Sequence, residues 1–288
     1  MAWRHYPLRF RLLSPLHVGY RKVGNLMQTR PYIPGKPLWA ALTARLTLEP
    51  HSNPQRKDYK AIGDRLQKYF RFGYLWPSLD GETPYFWWEH EDFEYVFLGS
   101  YVSTALDYGR MAAEEGSLHE IEFISPYTRD GGLPVYLVGD LWVQEDELSG
   151  SKGLESWQEA LGRIQLGGER GYGWGRVQLL PLERGRRGQG LTVTGFRWQE
   201  QANEIIIKIF KGDCLPAHAV ASPEVKVIGP LEPLVGWERA DESSGRVWEL
   251  SEPRIVYAPG ARADKDLQLV VSKSWGLLEA VEAGSGGQ

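Results

Sequence analysis

Between Gly167 and Arg176 the chain reads GGERGYGWGR, five glycines interleaved with Glu169, Arg170, Tyr172, Trp174 and Arg176. A segment of this kind can hold an anion. Glycine lacks Cβ, so its backbone N–H can approach a phosphate closely and adopt positive φ. Arg170 and Arg176 would add charge-assisted contacts, and Trp174 a ring on which a base can stack. The candidate contact positions are Gly167, Gly168, Arg170, Gly171, Gly173, Trp174, Gly175 and Arg176. Spacing argues against two familiar nucleotide sites. A dinucleotide-binding G-x-G-x-x-G loop leaves a strand and opens a helix, whereas this segment follows a helical pattern and precedes a strand. The Pro34-Gly35-Lys36 turn is followed by Pro37, not by the Ser or Thr of a phosphate-binding P-loop.

A second group of cations lies near the beginning of the chain. Residues 1–48 hold eight basic side chains and no Asp or Glu: Arg4, Arg9, Arg11, Arg21, Lys22, Arg30, Lys36 and Arg45. His17 sits among them. With Arg21, Lys22 or Arg30 to stabilise developing phosphate charge it has the equipment of a general base, and equally of a plain hydrogen-bond partner. From Asp80 to Glu122 the balance reverses, with eleven acids against Arg110 alone. The net charge of −4 thus conceals a polarised molecule, with one face suited to phosphate and one that phosphate avoids. The six histidines, His5, His17, His51, His90, His119 and His218, lack metal-ligand spacing, and Cys214 is the only cysteine. The sequence therefore implies no metal, no cofactor and no disulfide, and a reducing compartment.

These groups need elements to position them. Leu8, Phe10 and Leu12 alternate with Arg9 and Arg11, the period of a strand with one apolar and one cationic face. The proline- and glycine-rich stretch 14–35 reads as a long loop, Pro37–Leu48 as a helix with a leucine stripe, and Lys57–Phe72 as a second helix. An aromatic tract follows, and residues 49 to about 118 read as an insertion. Runs at 121–123 and 135–143 flank a turn at Asp130-Gly131-Gly132 and read as neighbouring strands. Leu154, Trp157, Leu161 and Ile164 mark a helix stopped by Gly167 and Gly168, and 177–180 is a last strand. The order β, α, insertion, β, β, α, β specifies an α+β fold, a ferredoxin-like domain resembling RNA-recognition domains. Its sheet would have two helices on one face and an open face carrying Arg9 and Arg11.

The basic, flexible segment 183–190 marks a boundary, which gives domains at 1–182 and 183–288. The second is β-rich, with β-like runs at 191–198, 204–210, 225–228, 247–250 and 267–271; a degenerate ferredoxin-like copy is one reading of it. At 288 residues a core of ordinary size can form without staples. Charged residues make up 24% and hydrophobic residues 42%, values that argue against disorder, and no apolar run reaches the ~18 residues of a membrane span. The opening residues lack a signal-peptide pattern, so the expected location is the cytoplasm.

Four stretches together resemble the RAMP superfamily of CRISPR-associated proteins. They are SPLHVG (Ser14–Gly19), PYIPGKPLWAALTARL (Pro31–Leu46), TALDYGRMAAEEGSLHEIEFISP (Thr104–Pro126) and QLGGERGYGWGRV (Gln165–Val177). The resemblance covers most of residues 8–180. It implies a crRNA-binding subunit whose glycine-rich loop contacts the RNA backbone. Subunits of type III complexes that cut target RNA carry an aspartate before the IPG stretch, whereas residues 19–31 here contain no Asp or Glu. The processing ribonucleases of the superfamily carry the glycine-rich loop near the C-terminus, whereas about 110 residues follow it here. The resemblance thus points to a non-catalytic subunit in antiviral defence that caps the crRNA 5′ handle. Its partners would be crRNA, backbone RAMP subunits and the large subunit, with target RNA nearby. The expected RNA contacts are Arg9, Arg11, His17, Arg21, Lys22, Arg30 and Lys36 together with the glycine-rich positions. Two alternatives remain open: a metal-independent endoribonuclease that processes CRISPR repeat RNA through His17, and a pure protein-interaction module.

Overall fold

The computed structural model describes residues 2–50, 53–148, 150–240, 245–273 and 275–281. The chain begins with β1 (Arg4–Leu12), the hairpin of β2 (Gly19–Val23) and β3 (Leu26–Thr29), helices α1 (Gly35–Leu48) and α2 (Arg56–Tyr69), and β4 (Phe70–Ser78). It continues through α3 (Phe93–Phe97), β5 (Leu98–Ser103), a short ribbon of β6 (Leu106–Asp107) and β7 (Ala112–Ala113), and β8 (His119–Ile124). Then come β9 (Tyr136–Val143), α4 (Glu145–Leu148), α5 (Trp157–Leu161) and β10 (Val177–Leu179). The central sheet has the order β10-β1-β9-β4 and is antiparallel throughout. With α1 after β1 and α5 between β9 and β10, this is the βαββαβ ferredoxin-like arrangement. A second four-stranded sheet has the order β2-β3-β8-β5, with β3 and β8 parallel. The remainder of the chain is β-rich and holds no helix among the described residues. It begins with β11 (Gln189–Leu191), β12 (Arg197–Gln201) and β13 (Glu204–Ile209). Its eight-stranded sheet continues across Leu267–Val271, Leu278–Ala280, Ala219–Val220, Arg254–Tyr257 and Leu231–Leu234.

Alternation along β1 builds two cores. Tyr6, Leu8, Phe10 and Leu12 are buried under α1, α2 and α5, against Leu38, Leu42, Leu66 and Trp157. The opposite face was expected to be open, and it is not. Trp3, Tyr74, Trp76 and Trp142 pack there against Trp198, Ile205, Ile207 and Leu269 of the eight-stranded sheet, the sheet of the second unit. Trp76 Nε1 donates to the Pro216 carbonyl at 3.2 Å, and the Val193 N–H donates to Asp140 Oδ1 at 2.7 Å. His5 lies between the sheets, 2.7 Å from the same carboxylate. The sequence shows a second β-rich unit but gives no sign that its apolar face matches that of the first.

Three element assignments also change. The stretch 14–35 contains the β2–β3 hairpin, which turns at Gly24 with φ of +59°. The second helix stops at Tyr69, because Phe70–Ser78 forms the edge strand of the central sheet. Eight of its nine residues are buried, so the polar alternation that marks a half-buried strand is missing. The runs at 121–123 and 135–143 lie in different sheets, since β8 pairs with β3 and β5 while β9 pairs with β1 and β4. The intervening glycine turn closes a short loop of its own, with a Tyr127–Pro134 bridge and the Thr128 N–H donating to the Leu133 carbonyl at 2.9 Å.

The two units are joined by a buried polar cluster. Arg30, 8% exposed, donates to Glu232 Oε1 and to the Tyr32 hydroxyl, both at 2.8 Å. His218 is fully buried, with Nε2 2.5 Å from Glu232 and Nδ1 2.6 Å from the Tyr74 hydroxyl. Burial alone would raise the Glu232 carboxyl, but the His218 hydrogen bond and the Arg30 charge outweigh it and bring the group down to about 2. Burial also lowers the His218 imidazole, against the pull of Glu232. Both groups bind protons less readily when folded than when unfolded, so stability contributed by the cluster is present at neutral pH and lost on acidification. Stability should fall as the pH drops through the histidine range, about 6.5, and fall further through the carboxylate range. Denaturant titrations between pH 7.5 and 4 measure this, and Glu232→Gln should flatten the acidic part. Arg30→Ala, which leaves the Glu232 carboxylate with His218 as its remaining partner, should cost about 2 kcal/mol in the same titration. A stable Arg30→Ala variant with impaired RNA binding would instead make Arg30 an RNA ligand.

Candidate nucleic-acid interface

The glycine-rich segment is seated on the turn that follows β1. The Gly168 N–H donates to the His17 carbonyl at 2.8 Å, and the Gly175 N–H to the Pro15 carbonyl at 2.7 Å. At Gly167, with φ of +73°, a Cβ would lie 2.3 Å from the His17 carbonyl oxygen; at Gly175, with φ of +75°, one would lie 1.8 Å from that of Leu166. Glycine is demanded at both places by close backbone approach. Gly171 and Gly173 face open space at the tip, where Arg170–Tyr172 makes one 3-10 turn. The loop is closed underneath by Gln165, whose amide donates to the Trp174 carbonyl at 2.6 Å.

The tip is cationic and aromatic. Arg170 and Arg176 are exposed and without a carboxylate partner among the described residues, and Tyr172 is 84% exposed. Tyr172, flanked by glycines, joins Trp174 as a second aromatic of the loop. Trp174, the ring expected to stack on a base, is half-buried, edge-on to Phe123 at 5.1 Å and Tyr101 at 6.4 Å. Those partners lie on β8 and β5, far away in sequence. The β2–β3 hairpin on the same small sheet presents Arg21 and Lys22 to solvent, with the Arg21 guanidinium 5.2 Å from the Tyr20 ring and bonded to Gln28. Arg11 is half-buried near the end of β1, opposite Gln178 of β10, and has no carboxylate partner among the described residues.

Other expected contacts are occupied. Arg9 is paired with Glu82 and Glu183. Arg30 belongs to the buried cluster. The Lys36 ammonium lies 2.5 Å from Glu238 and 3.7 Å from the Trp275 ring centroid, against the second unit. The structure therefore leaves Arg21, Lys22, Arg170 and Arg176 without carboxylate partners among the described residues, and draws Arg9, Arg30 and Lys36 into ion pairs.

His17 holds the site together rather than projecting from it. It is 9% exposed, and its Nδ1 donates to the Glu122 carbonyl at 2.8 Å, which leaves Nε2 as an acceptor in the neutral ring. Glu122 also accepts the Thr29 N–H at 2.9 Å through its carboxylate. The acidic segment was expected to form a face that phosphate avoids, yet its β8 pairs with β3 of the basic hairpin, and the Glu122 carboxylate accepts from Thr29 beside it. His51 lies outside the described residues.

No protein-family model matches the chain, and no curated protein matches it. Among solved structures, a chain of the cryo-EM structure of the type III-B Cmr-beta bound to cognate target RNA and AMPPnP is similar, at 10% identity and a TM-score of 0.49. The match covers 95% of this chain and 99% of that one. A chain of the Cmr-beta structure bound to cognate target RNA gives 9% identity and 0.49, covering 94% and 98%. A chain of the apo Cmr-beta structure gives 12% and 0.37, covering 61% and 96%.

Proposed function

We propose that the chain is a crRNA-binding subunit of a type III CRISPR ribonucleoprotein, that it holds the 5′ handle of the guide and adjoins other subunits, and that its role is binding rather than cleavage. One observation carries the reading. Three of the four stretches that resemble the RAMP superfamily, far apart in sequence, meet in one place: Gly168 and Gly175 bond to His17 and Pro15, and Trp174 packs on Phe123. Around that junction Arg21, Lys22, Arg170 and Arg176 lack carboxylate partners among the described residues, a surplus of cations that a phosphate backbone neutralises. His17 supports a binding role, since its Nδ1 is committed to a backbone carbonyl and its ring is buried. Arg9, Arg30 and Lys36, taken up in ion pairs, are left out of the interface; the covered sheet face is left out as well. RNA then follows the edge formed by the glycine-rich turn and the β2–β3 hairpin.

If Arg11, Arg21, Lys22, Arg170 and Arg176 each meet one phosphate of a single strand, log K should fall with log salt at a slope of about −3.5. Fluorescence anisotropy with a repeat-derived RNA between 50 and 300 mM salt measures it, and a slope near zero would remove the electrostatic basis of the proposal. Arg170→Ala with Arg176→Ala should reduce the slope by about 1.4 and lose RNA that co-purifies from cells transcribing a repeat–spacer array. New repeat ends generated in EDTA, and absent in His17→Ala, would instead identify a processing nuclease.

A further inference from the structure

A groove of about 480 Å³ lies between the aromatic tract after β4 and the β11–β12–β13 edge of the second sheet, apart from the surface discussed above. Its floor carries an electrostatic anomaly. Arg197 on β12 and Lys208 on β13 are direct cross-strand partners, so both cations project from the same face, and neither has a carboxylate partner among the described residues. Like charges directly opposite in a ladder destabilise it, and an anion between them reverses the sign. Arg262 adds a third cation at the rim, tethered to the Gly212 carbonyl at 3.0 Å. Phe210, 52% exposed, and Phe196 supply ring faces beside the cations. Of the two acids at the groove, Asp213 is committed to the Phe210 N–H at 3.0 Å, and Glu89 is exposed at the mouth.

We propose that this groove binds a nucleotide, its phosphate between Arg197 and Lys208 and its base against Phe210. The volume lies within the range of small-molecule sites, and base stacking beside paired cations is the chemistry by which proteins hold a single nucleotide unit. That unit can be a free nucleotide or one link of an RNA strand. The assignment does not rest on the glycine-rich face as an RNA site.

Cys214 lines the groove and is the only cysteine, so it reports occupancy directly. The rate of its alkylation by N-ethylmaleimide, followed by intact mass, should fall at least fivefold with saturating AMP or a hexameric oligo-A RNA, and far less with adenosine. Protection by AMP alone identifies a free nucleotide, and protection by the hexamer alone a strand link. Arg197→Ala with Lys208→Ala should alkylate at the wild-type rate without ligand, which shows the fold intact, and lose the protection. Arg170→Ala with Arg176→Ala should keep protection by AMP whether or not it still binds repeat RNA. Absence of protection by both AMP and the hexamer, equal protection by adenosine, or protection that survives in Arg197→Ala with Lys208→Ala would overturn the proposal.

Discussion

A guanidinium can be buried only with a counter-charge in contact, and Arg30 meets that condition with Glu232, a residue of the other unit. The pairing fixes the segment that joins β3 to α1 against the second sheet. His218 extends it to Tyr74 on β4, so one polar cluster spans the seam between the sheets. The apolar surfaces on either side, Trp76, Trp142 and Trp198 among them, then close over the central sheet. Removing water from that face strengthens the cluster, and the cluster in turn sets the register in which the faces meet.

Covering the face removes the strands' outer surface from contact with any ligand. A ferredoxin-like sheet with one side open would bind along its strands; here the available surface is at the rim, where β1 runs out into the turn of Pro15 and His17. The glycine-rich segment reaches that rim because Gly167 and Gly175 let two backbones touch. The small β2-β3-β8-β5 sheet supplies the wall behind it through Phe123 and Tyr101. The rim is an edge assembled from three chain segments, held by the hydrogen bonds of Gly168 and Gly175 and by the packing of Trp174 on Phe123.

Periodicity made the ferredoxin-like order and the β-rich second part legible: the alternation at Leu8–Leu12, the leucine stripe of α1 and the glycine stop before β10 all appear in the structure. β4 was hidden because burial on both faces erases alternation. The β2–β3 hairpin was hidden among prolines and glycines that also suit a loop. The glycine-rich turn was readable locally, but its glycines alone point to close approach of a phosphate, whereas Gly167 and Gly175 use that freedom against the backbone of His17 and Leu166, and the Gly168 and Gly175 N–H groups donate to the carbonyls of His17 and Pro15. The fates of Arg30 and Lys36 were not, since their partners Glu232 and Glu238 are each 202 residues away in sequence. Cationic composition identifies which side chains can meet phosphate; only the pairing geometry says which remain free to do so.

The pairing of the central sheet also governs how the chain is made. β1 precedes its partners by a long stretch of chain, since they are residues 136–143 and 177–179, and the face behind it is covered by residues later still, Trp198, Ile205, Ile207 and Leu269. At about 5–20 residues per second, an apolar strand waits many seconds on the ribosome for its neighbours. Contacts of such separation fold slowly and leave strand edges open in the interval. The cationic residues interleaved along β1, Arg4, Arg9 and Arg11, act meanwhile as gatekeepers, since repulsion between copies opposes edge-to-edge association until the sheet closes.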